Sequence, residues 1–171
     1  MTIRQLLQSE HSRKNTNIIL DAVKANPERI HELMESFFDK EYRICQRAAW
    51  PVGDIGKSSP QLLLPYLPKM VTNLKSPRHD AVVRNTLRTW QHMDIPESYL
   101  GEIFEISFQY ILDPKYPIAI RAFSMTVCFN IVQKVPELKD ELILAITDQM
   151  ENGSPGIKSR GKNILLQLKK L

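Results

Sequence analysis

Glycine is scarce, with 6 residues in 171, and no low-complexity tract occurs. That excludes collagen-like and disordered polymers, in which apolar burial cannot offset ordering entropy. Cysteine is nearly absent: Cys45 and Cys128 have no partner at a two-residue gap and sit among apolar neighbours, as reduced core thiols do. Apolar runs stop far short of the roughly 20 residues that span a bilayer, and the mean hydropathy is −0.27. Met1-Thr2-Ile3-Arg4-Gln5 does not lead from basic residues into an apolar core, so no secretory leader is expected and a soluble, cytoplasmic protein is. Period-2 alternation is missing too, which argues against a sheet. A chain of 171 residues suits one folded body spanning residues 1–171.

Proline is plentiful and falls where its fixed φ and missing N–H suit a first helical turn. Pro27, Pro60, Pro96 and Pro136 each precede apolar residues at three- and four-residue steps, such as Ile30, Leu33, Met34 and Phe37. Pro65 and Pro68 should kink or delay the second of these helices. A second helical run follows each one, over about 40–55, 77–93, 116–135 and 155–171. Four hairpins result, at about 27–56, 60–94, 96–135 and 136–171. An N-terminal piece, 1–26, with a helix over about 14–25, is expected to cap the stack. Residues 118–132 are apolar all round, which places that helix inside the stack.

The second helix of each hairpin carries an arginine in an equivalent place: Arg47, Arg84, Arg121 and Arg160, spaced by 37, 37 and 39. Helix pairs repeated at a period near 40 indicate an all-α superhelix, an α-solenoid whose hairpins bury their apolar faces only by stacking. Leu62-Leu63-Leu64-Pro65-Tyr66-Leu67 and Asp113-Pro114-Lys115-Tyr116-Pro117-Ile118-Ala119-Ile120-Arg121-Ala122 resemble HEAT repeats, with their leucine-rich helix, Asp-Pro turn and arginine followed by a small residue. Arg47-Ala48-Ala49-Trp50, the run from Ala119 to Met125, and Lys158-Ser159-Arg160-Gly161-Lys162 are similar to a small bacterial HEAT-like family without an assigned function. The HEAT resemblance implies a helical scaffold. The family's aspartate six positions before the arginine is not at that distance here, since Asp113 lies eight before Arg121 and Asp80 four before Arg84.

Catalytic and metal patterns fail. His11, His31, His79 and His92 lack metal-ligand spacing. Gly56-Lys57-Ser58 follows a helix rather than a strand and lacks the first glycine of a phosphate loop, so Gly53 and Gly56 read as a helix-ending turn. Ser58-Ser59-Pro60-Gln61-Leu62 does not supply the Ser-Ser, Met, Pro, Lys and Asn signature of purine-pathway lyases. No enzyme activity, metal, cofactor or small-molecule substrate is expected.

Arg43, Arg47, Trp50 and Asp54 step by four, three and four along one side of a helix, and Arg84 and Arg88 continue that surface. With Arg121 and Arg160 they form a candidate concave binding face. The alternative is that Trp50 packs between hairpins while Arg47 pairs with a carboxylate of the neighbouring repeat. Residues 57–95 carry a net charge of +4 and 154–171 one of +5, while the rest is acidic. The expected function is a non-enzymatic scaffold for a protein or acidic-peptide partner. The alternative is nucleic-acid binding, since HEAT-like glycosylases of alkylated DNA share this repeat architecture. Their aromatic and carboxylate site finds no counterpart beyond Trp50 and Asp54. No membrane partner is expected.

Overall fold

A computed structural model describes residues 1–171 as ten α-helices with no strand. They form two compact units, Met1–Asp94 and Ile95–Leu171. The first contains α1 (Ile3–Ser9), α2 (Arg13–Ala25), α3 (Ile30–Phe37), α4 (Tyr42–Ser58), α5 (Leu67–Leu74) and α6 (Asp80–Trp90). The second contains α7 (Glu97–Leu112), α8 (Ile118–Val132), α9 (Lys139–Glu151) and α10 (Pro155–Leu168). In the first unit α1 packs on α3, α2 on α4 and α4 on α6; in the second, α7 packs on α9 and α8 on α10. With α5 apart, first helices meet first helices and second helices meet second helices, which is the α-solenoid arrangement.

Proline shapes the starts. Pro27, Pro60 and Pro136 open single 3-10 turns before the α-helix proper, and Pro96 is the N-cap residue of α7. Pro65 lies in another 3-10 turn, Leu64–Tyr66, and Pro68 falls in the first turn of α5, which is why that helix begins only at Leu67. Pro51 lies inside α4 and does not stop it.

One helix escapes the periodicity. Seven residues are too few to show a 3.6-residue pattern, yet α1 forms and buries Ile3, Leu6 and Leu7. Thr2 and Gln5 close a capping box at its start, and α1 and α2 pack as a short hairpin of their own. The first unit's core gathers Leu33, Val52, Met70, Val83 and Trp90; the second unit's gathers Ile103, Ile120, Met125, Val127 and Leu142. Ten of the 15 residues of α8 are buried, and the helix packs against α7 and α10 within its unit, as its uniform apolarity demands.

Gly53 and Gly56 do not end a helix. Both lie within α4, neither has a positive φ, and both face α6. A Cβ on Gly56 would stand 2.1 Å from Thr89 Oγ1 and 2.8 Å from Thr89 Cα; one on Gly53 would stand 2.1 Å from Asn85 Oδ1. Close approach of the two helices, rather than a turn, is what these glycines permit.

Candidate binding face

The four arginines that are equivalent in sequence do four different things. Arg47 donates to the carbonyls of Leu7 and Gln8 at 2.7 and 3.0 Å, satisfying the C-terminal end of α1 with a cation, where the helix dipole favours one. Arg84 is exposed and makes no hydrogen bond or ion pair within the protein. Arg121, 6% exposed, donates to Ile111 O at 3.4 Å and Gln149 Oε1 at 2.7 Å, and burial pushes its pKa down. Arg160 donates to the hydroxyl of Thr126 on α8.

Trp50, Asp54 and Arg88 are brought together in the first unit. Asp54 accepts from Arg88 of α6 at 3.0 Å and from Arg13 at the start of α2. Arg13 also lies over the indole of Trp50, 5.5 Å from its centroid, and His11 meets that ring edge-on at 6.1 Å. Arg43 is separate from this group. Its Nε donates to Tyr42 Oη at 3.2 Å, a bond that raises the guanidinium pKa, and Tyr42 in turn stacks on His79. Arg121 and Arg160 belong to the second unit.

A recess of about 250 Å³ opens beside Trp50, lined by His11, Gln46, Trp50, Ala81, Arg84 and Asn85. Sequence spacing identified Trp50 and Arg84 but missed His11, Arg13, Gln46 and Asn85. The only signal that could have found Arg13 is its charge opposite Asp54, and a separation of 41 residues hides that pairing. No group of three or more His, Cys, Asp or Glu side chains stands close enough to hold a metal ion. Cys45 and Cys128 are buried, and burial pushes both thiols up, the direction opposite to that of an activated nucleophile.

The family model described as HEAT repeat domain matches residues 3–168. The chain belongs to the HEAT repeat family. No curated protein and no solved structure matches it. Charge is divided between the two helices of the HEAT hairpins. In the second unit α8 and α10 carry Arg121, Lys158, Arg160 and Lys162 with no acidic residue, whereas α7 and α9 carry seven acidic residues and only Lys139 as a base. In the first unit α2, α4 and α6 carry eight basic residues against Asp21, Asp54 and Asp80, whereas α1, α3 and α5 balance Arg4 and Lys69 against Glu32 and Glu35. No helix is long and apolar enough to cross a membrane.

Proposed function

We propose that the protein is a non-enzymatic cytoplasmic scaffold whose second helices hold an acidic segment of a protein partner. The observation that carries this reading is the charge division: within each unit the basic residues gather on second helices and the balance shifts toward acid on the first. A surface of one sign recruits and orients a partner of the other. Much of the basic charge is already engaged, by carbonyls at Arg47, by Asp54 at Arg13 and Arg88, and by Gln149 at Arg121. The exposed cations that remain, Lys14, Lys24, Lys57, Arg84, Lys158 and Lys162, are free to meet acidic side chains, and the use of HEAT repeats for protein interaction favours a peptide over a nucleic-acid backbone.

The test is fluorescence anisotropy with a labelled glutamate-rich peptide and, separately, a labelled DNA duplex. The peptide should bind, lose affinity as salt rises, and lose about tenfold on Lys14→Glu with Lys57→Glu, two exposed cations on second helices of the first unit. Tighter binding of the duplex, with a steep salt slope, would replace this reading by the nucleic-acid one.

A further inference from the structure

We propose that the recess between α4, α6 and the connection from α1 to α2, which supplies His11, is an anchoring pocket for one glutamate side chain of that acidic partner. The inference rests on the reading above but is carried by separate observations. At about 250 Å³ the recess is smaller than the roughly 300–1,000 Å³ of typical ligand or cofactor pockets, and it is of a size to take a side chain. Three polar side chains on its wall have unused hydrogen-bonding capacity: neither the Arg84 guanidinium, the Gln46 amide nor the His11 ring forms a hydrogen bond within the protein. Asp54, the neighbouring carboxylate, is already held by both Arg13 and Arg88, so it does not neutralise Arg84. The site is thus cationic, rich in donors and without an internal anion.

The walls are also fixed in advance. Trp50 is held by Arg13 over its face and His11 at its edge. Asn85 is 2% exposed and donates from Nδ2 to Ala81 O at 2.9 Å, in a position that Gly53 leaves clear by having no Cβ. A planar carboxylate matches the two-pronged donor geometry of Arg84, and the two methylenes of a glutamate can lie along the indole. Preorganised walls reduce the entropy lost on binding.

The full chain carries two tryptophans, which gives the experiment an internal reference. Trp50 borders the recess, while Trp90 is fully buried. The isotope-labelled protein is titrated with a capped glutamate-rich peptide while both indole N–H resonances are followed by NMR, with Trp50→Phe assigning them. The Trp50 resonance should move and that of Trp90 stay. Arg84→Gln should weaken the peptide about tenfold with thermal unfolding unchanged, because that side chain is exposed and unpartnered. A peptide with glutamine in place of glutamate should not move the Trp50 signal.

Peptide binding with a motionless Trp50 resonance and an unaffected Arg84→Gln variant would overturn the pocket while leaving the acidic-partner reading intact. Absence of peptide binding at low salt would overturn both. Equal binding of the glutamine peptide, or a larger Trp50 shift with duplex DNA, would show that the recess does not recognise a carboxylate side chain.

Discussion

Two helical glycines illustrate opposite situations at the scale of one residue. Gly56 has no room for a side chain, since the nearest obstacles include the backbone of Thr89 as well as its hydroxyl. Gly56→Ala should therefore force α4 from α6 and destabilise the protein by about 1–3 kcal/mol. Gly101 sits in α7 without a positive φ, and a Cβ there would meet nothing within 4 Å. Neither backbone conformation nor packing asks for glycine at that site. Gly101→Ala should stabilise by up to about 1 kcal/mol through helix propensity. Urea denaturation of the two variants reads both signs. Arg47 is a third instructive residue: because it holds the end of α1, reversing its charge tests the fold and the binding face together, whereas Arg84→Gln tests the face alone.

Among the elements, α1 depends most on its neighbours. A helix of seven residues is not stable by itself, and this one is held at both ends: Glu32 of α3 accepts from Ile3 N–H at 2.9 Å, and Arg47 of α4 donates to Leu7 and Gln8. Glu32 has its carboxyl lowered below the usual range, first by the hydrogen bond from Arg29 and then by the one from Ile3. A carboxyl lowered in the folded state adds stability above its unfolded pKa and loses it as the pH falls through the folded value. Hydrogen-exchange protection of the α1 amides should accordingly fall as the pH drops below the unfolded glutamate value of about 4.3, and Glu32→Gln should reduce that dependence, the remainder coming from Asp39, which pairs with Arg4 of α1 and is also lowered. Helix α8 depends on its surroundings differently, through burial on nearly every side. Met125→Ala should cost about 2–5 kcal/mol because its side chain is fully enclosed. Phe123, only half-buried, should cost less than a buried phenylalanine when truncated, despite lying in the same apolar helix. Chemical denaturation of the two α8 variants gives the comparison.

On the scale of the whole molecule, the net charge of +4 conceals the separation between first and second helices. Partner association should fall several-fold between about 50 and about 200 mM salt, through a slower association rate, because charges of one sign steer encounter and ions screen them. Stopped-flow measurement with the glutamate-rich peptide checks this; a salt-independent rate would mean that steering plays no part. The prolines at helix starts, the delay at Pro65 and Pro68 and the burial of α8 were legible in the sequence, because each follows from residues a few positions apart. Proline's fixed φ and the 3.6-residue period are local properties. What the repeated arginines touch, the union of Arg13 with Asp54, the docking of α1 and the need for glycine at Gly53 and Gly56 were decided only by tertiary structure. Each depends on how far apart, and in what rotation, two helices pack, and residues some forty positions apart carry no periodic signal of that distance or angle.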